Sequence, residues 1–211
     1  MDNVRTAVIF TGGHCRTERL TPEDTRADLV IAADAGYLTA QRCGVRPDII
    51  AGDFDSSDAP DAAEGVRIVR VPAEKDDTDT MLACDLAVEA GARLIRILGG
   101  TGGRADHGLS NIFMLENLRR RGVRAEICDG DNRIRLLENE SCTLSRTHYR
   151  YFSLLALTDA RATLTGCKYP LTDAPLTRSL PYAVSNEIAG GEAHVTVSGG
   201  PVLLLECGDA P

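Results

Sequence analysis

The feature that most restricts what this chain can become is a change of hydrophobic period near residue 131. Before it, short apolar runs alternate with helical stretches; after it, helical periodicity is absent. Runs at residues 4–10, 29–33, 48–51, 66–71, 94–98 and 123–128 are β-branched or apolar and bounded by Gly, Pro or charge, and they read as buried strands. Between the last three lie two helices. The first is expected to begin near Thr78, with Thr or Asp as N-cap and Asp79 in the first turn. Leu82, Leu86 and Ala90 form its stripe, and Gly91 stops it. The second is expected from Asp106 to Arg121, burying Leu109, Ile112, Phe113 and Leu118. Three terminal arginines suit its dipole, and Gly122 ends it. Strand–helix–strand alternation implies a parallel sheet with helices on its faces.

The second part reads differently. Residues 134–137, 142–144, 151–157, 162–164, 193–197 and 201–207 are short strand-like runs separated by turn signals such as Leu-Thr-Gly-Cys and Ser-Gly-Gly-Pro. That spacing indicates an all-β sandwich or barrel. The expected fold is therefore α/β: a Rossmann-like parallel sheet with flanking helices over residues 1–130, then an all-β sandwich or barrel over residues 131–211. A sandwich that small usually serves binding or dimerisation rather than chemistry of its own.

Composition narrows the function. At 211 residues, 43% hydrophobic and 26% charged, the chain can bury a sizeable core without disulfides. Its net charge of −8 argues against a nucleic-acid or anionic-membrane surface. An anionic substrate remains compatible if a cation and local basic groups bring it in. The seven cysteines are scattered singly with no CxxC pair, which argues against a zinc cage or a disulfide framework; most read as small buried hydrophobes. No run approaches a membrane span or a signal-peptide core, so a cytoplasmic address is expected.

Three loops carry the chemistry, each after a strand, where open α/β sheets bind ligands. Gly52-Asp53-Phe54-Asp55-Ser56 places carboxylates at i and i+2 in one loop. Like charges held that close need a cation, and magnesium favours one or two carboxylates plus phosphate oxygens and water. Read alone, the loop is equally an Asx-rich turn capping a helix. Lys75-Asp76-Asp77-Thr78-Asp79-Thr80 opens a helix on the same rim, with Lys75 able to meet a phosphate, and Thr78 and the helix N-terminus offering donors. Gly99-Gly100-Thr101-Gly102-Gly103-Arg104-Ala105-Asp106-His107 has four glycines in five residues, which lets backbone N–H groups, Gly102 among them, approach phosphates; Arg104 can clamp one. It is neither a Walker loop nor a dinucleotide fingerprint. His14, His148 and His194 make no metal spacing.

These segments resemble the thiamine pyrophosphokinase family. The matching residues are Ala33-Asp34-Ala35-Gly36, Arg46-Pro47-Asp48 leading into Gly52-Asp53-Phe54-Asp55-Ser56, Lys75 through Thr80, and Gly99 through His107 with Asn111. In the β half they are Gly166-Cys167-Lys168-Tyr169-Pro170-Leu171 and Ser185-Asn186-Glu187. The resemblance implies a homodimer with the active site between subunits, ATP and thiamine as substrates, and Mg2+. It makes Asp53, Asp55 and Asp79 the magnesium-handling carboxylates. Lys75, Thr78, Arg104 and Asp106 would surround the ATP phosphates, with Gly102 and His107 beside them and Asp34 lining the cleft. Ser185 and Asn186 would meet the aminopyrimidine. Asp106 or Asp76 would accept the hydroxyl proton. The chain departs from the family in having Ala35-Gly36 where Gly-Gly is common, and no tryptophan. Two other readings are a pyrophosphokinase for another alcohol, such as a hydroxymethylpterin, and a nucleotide-binding sensor without turnover.

Overall fold

The computed structural model describes residues 5–52, 65–70 and 78–209. The chain divides into two compact units, residues 1–130 and 131–211. The first contains β1 (Thr6–Phe10), α1 (Pro22–Thr25), β2 (Leu29–Ala33), α2 (Gly36–Arg42), β3 (Ile49–Gly52), β4 (Arg67–Arg70), α3 (Asp79–Glu89), β5 (Leu94–Leu98), α4 (Ala105–Arg120) and β6 (Arg124–Cys128). Its strands are all parallel, in the order β4-β3-β2-β1-β5-β6. The order reverses direction between β1 and β5, which opens a crevice at their carboxyl ends.

Burial on both faces explains the apolar runs. Every residue from Ala7 to Phe10 is fully buried, as a central parallel strand requires. On one face Val8, Phe10, Val30 and Leu98 cluster with Ala40 of α2. β4, expected to be buried, is instead the half-exposed edge strand.

The two longer helices start and stop close to where the sequence places them, but their buried faces differ. Thr78 caps α3, its Oγ1 accepting from the Met81 N–H at 3.2 Å, and Gly91 follows at φ +96°. The side chains α3 buries are Ala83, Cys84 and Ala87, not the stripe of Leu82, Leu86 and Ala90. Small residues bring that helix close to β1, β2 and β3. In α4 the buried set is Gly108, Asn111, Met114, Leu115 and Leu118. Leu109 and Phe113, expected inside, are 53% and 52% exposed. Arg121 at the end of α4 pairs with Asp85 of α3 at 2.5 Å.

The second unit holds β7 (Asn132–Leu137), β8 (Ser141–Ser145), β9 (Tyr151–Ala156), β10 (Ala160–Thr165), β11 (Leu171–Leu176), β12 (Glu192–Gly199) and β13 (Val202–Cys207). Its antiparallel strands lie in the orders β7-β13-β9 and β11-β10-β12-β8. Alternate residues face one core, where Phe152, Leu154, Val202 and Leu204 meet Leu144, Leu164, Val195 and Val197. This is the sandwich pattern of apolar-in, polar-out.

Four cysteines (Cys15, Cys84, Cys128 and Cys167) are buried; Cys43, Cys142 and Cys207 are partly so, and none of the seven is in a disulfide. Among the described residues, no helix is long and apolar enough to cross a membrane.

Candidate active site

A cleft of about 460 Å³ lies over the strand-order reversal. Four chain segments wall it: residues 11–13 after β1, residues 33–35 at the end of β2, residues 78–80 opening α3, and residues 99–104 after β5 with His107 and Asn111 of α4. A parallel sheet delivers all of these to one rim, because its strands all end on the same side.

Two glycine loops meet at the floor. A Cβ on Gly13 would sit 2.0 Å from the Gly99 carbonyl oxygen, so the loops touch backbone to backbone. Thr11 ties them to the sheet, with its N–H and Oγ1 both donating to the Leu98 carbonyl at 3.0 Å. The amide of Asn111, buried in α4, donates to the Gly100 carbonyl at 2.9 Å. The Thr101 hydroxyl donates to the Asp129 carboxylate. The first half of the loop is thus held from below, while Gly100, Gly102 and Gly103 line the cleft. Backbone N–H groups so presented form an anion cradle.

On the opposite wall Asp34 occupies the left-handed region at φ +45°. Its N–H donates to the Ala51 carbonyl at 2.8 Å. A non-glycine residue held there stores strain of the kind that gathers at binding sites. Asp79 stands at the first position of α3, half-buried, beside the capping Thr78. Asp34 and Asp79 are two hard oxygen donors lining the same cleft from different segments, a residue type that suits magnesium with phosphate oxygens completing its shell. Among the described residues there is no cluster of three or more metal-ligating side chains. Asp53, Asp55, Lys75 and Asp76, named from the sequence, lie outside the described residues.

Arg104 and Asp106 form an exposed fork at the start of α4, with Nη2 to Oδ2 at 2.6 Å and Nε to Oδ1 at 3.1 Å. The hydrogen bonds from Arg104 hold the Asp106 carboxyl down at about 2, helped by the His107 N–H at 2.9 Å. A carboxylate so held has little affinity for a proton, which argues against Asp106 as the proton acceptor. It serves better as the counter-ion that orients Arg104. Since its pKa is depressed, the carboxylate should persist from alkaline pH down through its unfolded value of 3.8 and be lost only near 2. Carbon-detected NMR titration should show that midpoint, and it should return towards 3.8 in Arg104→Ala. An activity limb between pH 5 and 8 that disappears in Asp106→Asn would restore Asp106 as the base.

Cys15, against Gly99, is buried, and that burial pushes its thiol up to about 12, away from the thiolate form. Sequence reasoning overlooked Thr11, Gly12 and Gly13. The signal was present as a Gly-Gly pair directly after the first buried strand, but it carries no charged residue to draw notice.

Ser185 and Asn186 belong to the second unit. Ser185 is exposed at φ +55°. Asn186 is 5% exposed and its amide is fully engaged within the fold, which does not match the ligand contact expected of it.

Parallel strands, a glycine-walled crevice at the order reversal and carboxylates lining it define an open α/β unit with the crevice at which such sheets take ligands, here followed by a β-sandwich. Comparison with known proteins makes this specific. Residues 23–127 match the thiamin pyrophosphokinase catalytic domain, and residues 139–201 match the thiamin pyrophosphokinase vitamin B1 binding domain. A thiamine pyrophosphokinase from Bacillus subtilis is 31% identical over 190 residues, covering 86% of this chain and 88% of that protein. The chain belongs to the thiamin pyrophosphokinase family. Among solved structures, thiamine pyrophosphokinase from Bacillus subtilis superposes with a TM-score of 0.86 at 28% identity, covering 98% of this chain and all of that one. The Geobacillus thermodenitrificans protein gives 0.82 at 32% identity, covering 97% and 98%. The Candida albicans protein, at 16% identity, shares the fold with a TM-score of 0.80 over 99% and 90% of the two chains.

Proposed function

We propose that this chain transfers the terminal diphosphate of ATP to the hydroxyethyl group of thiamine, giving thiamine diphosphate and AMP. The observation that carries this reading is a glycine-walled, carboxylate-rimmed cleft in a chain that also matches a vitamin B1 binding domain. The acceptor oxygen forms a bond to the β-phosphorus, the bond from that phosphorus to the α–β bridging oxygen breaks, and AMP leaves with the bridging oxygen. The hydroxyl proton passes to a base.

Such chemistry needs positioning and neutralisation of phosphoryl charge more than covalent participation. In this reading the N–H groups of Gly12 and of residues 100–103 and the N-terminus of α3 receive phosphate oxygens, while the Gly99 N–H is held by the Cys128 carbonyl at 2.9 Å. Arg104, oriented by Asp106, and Lys75 add positive charge. Asp34 and Asp79, with Asp53 and Asp55, would hold magnesium, which when bound with ATP neutralises the phosphoryl oxygens. Asp76 is the candidate base once Asp106 is set aside. The homodimer, the cytoplasmic address and the roles of residues 1–130 in catalysis and 131–211 in thiamine binding and dimerisation belong to the same reading.

Incubation of the protein with magnesium, ATP and thiamine is expected to release AMP and thiamine diphosphate in equal amounts, followed by chromatography. ADP with thiamine monophosphate would place attack on the γ-phosphorus and overturn the mechanism. ATP binding without thiamine turnover would point to another alcohol, a pterin first, or to a sensor.

A further inference from the structure

The hydrogen bonds of Asn186 allow a complete accounting. Its Oδ1 accepts from the Tyr169 N–H at 3.1 Å and from the Glu187 N–H at 2.9 Å. Its Nδ2 donates to the Tyr169 carbonyl at 2.8 Å and contacts the Cys167 sulfur at 3.4 Å. A side-chain amide has two donor hydrogens and two acceptor lone pairs, and here all four are in use. The orientation of the amide is fixed by its partners, because the backbone N–H and C=O of Tyr169 have a definite polarity. The side chain therefore pairs with Tyr169 as a neighbouring strand would.

Its own backbone makes a second set of contacts. Asn186 and Phe152 exchange both backbone hydrogen bonds at 2.9 Å. Lys168 N–H donates to the Glu187 carbonyl at 2.9 Å, and Ala189 N–H to the Gly166 carbonyl at 3.0 Å. The turn at residues 166–169 is thus laced to residues 186–189, with the buried Asn186 amide and the exposed Lys168–Glu187 ion pair at 3.1 Å as side-chain links between them. Next to it, Ser185 is held in the left-handed region with its N–H donating to the Ser153 hydroxyl at 3.0 Å. Tyr169 presents its ring outward, 57% exposed.

We infer that Asn186 is a positioning residue that never touches the acceptor: it clasps the Tyr169 turn to the Ser185 segment and so fixes where Ser185 and the Tyr169 backbone stand. The inference rests on the reading that this unit receives thiamine. Within the Ser185-Asn186 pair, Ser185 is then the residue left to meet the acceptor.

The decisive comparison uses two acceptors, thiamine and its analogue lacking the 4′-amino group, with wild type, Asn186→Ala, Asn186→Asp and Ser185→Ala. A clasp acts on the pocket and not on one ligand atom. Asn186→Ala should raise KM for both acceptors by the same factor, about tenfold, with kcat and KM for ATP little changed. Asn186→Asp keeps the volume and both acceptor contacts but loses both donations, so it should move KM in the same direction if Ala does not fold. A loss for the Asn186 variants that shrinks with the amine-free analogue would mean a direct contact and overturn the inference.

A second readout is independent of turnover. The chain has no tryptophan, so Tyr169→Trp supplies the sole indole, and adding Asn186→Asp should shift its emission and quenching. Unchanged emission would sink the clasp. If the wild type fails to convert thiamine at all, the functional reading fails, while the emission test still judges the clasp.

Discussion

Asp79→Asn is expected to lower kcat/KM for ATP by about a thousandfold while shifting the melting temperature by only a few degrees. The two effects separate because Asp79 takes part in two different interactions. As a first-turn residue of α3 it meets the positive end of the helix dipole, worth about 0.3–1 kcal/mol. The cap itself is Thr78, whose Oγ1 accepts from Met81, so the helix start survives the substitution. In the cleft the same carboxylate lines the wall together with Asp34, and in the proposed reading its charge would bear on magnesium and through it on the phosphates. Asparagine keeps the shape and removes the charge. Kinetics at varied magnesium beside a circular-dichroism melt would check both halves. A loss below fivefold with unchanged magnesium dependence would reduce Asp79 to a helix-start residue.

How far the sequence alone leads can be judged from particular residues. The loops at residues 78–80 and 99–104 were legible because carboxylates or glycines gather after an apolar run and a parallel sheet brings such loops to one edge, whereas residues 11–13 follow an apolar run without a charge to mark them. The two long helices were legible at their ends, where Thr78, Gly91 and Gly122 mark starts and stops by local backbone chemistry. Their faces were not. In α4, Leu109 and Phe113 outweigh Gly108 and Asn111 on any hydropathy count, yet the latter pair faces inward. Gly108 lets the helix approach residue 101, and Asn111 turns in to satisfy the Gly100 carbonyl. Both reasons depend on the neighbouring loop rather than on the helix sequence. Strand β11 escaped notice because Asp173 and Pro175 interrupt it. It tolerates them as an edge strand, with Asp173 at φ +43°. The engagement of Asn186 was beyond reach for the same kind of reason: its partners lie 17 and 19 residues earlier in the chain.

Gly13→Ala is expected to be a severely damaging single methyl in the first unit's cleft. Its Cβ would fall 2.0 Å from the Gly99 carbonyl oxygen, 3.2 Å from the Gly99 carbonyl carbon and 3.3 Å from the Gly102 carbonyl oxygen. All three neighbours are backbone, so no side chain can swing away, and one glycine loop must be displaced from the other. Overpacking of this kind costs about 1–3 kcal/mol or more. In the proposed reading the displaced segments offer N–H groups to the phosphates, so activity should fall further than stability. We expect kcat/KM for ATP to drop more than a hundredfold and the melting temperature to fall by roughly 5 °C or more. Gly103→Ala is the control, one loop residue along the same wall. Its Cβ meets nothing within 4 Å, but its φ of +91° is strained for alanine, at about 1 kcal/mol. It should lose a few degrees of melting temperature and keep activity within about tenfold, since no neighbouring backbone is pushed. Similar losses in the two variants would mean that backbone strain alone governs this wall. A Gly13→Ala protein with normal kinetics would mean that the two loops do not touch as the cleft requires.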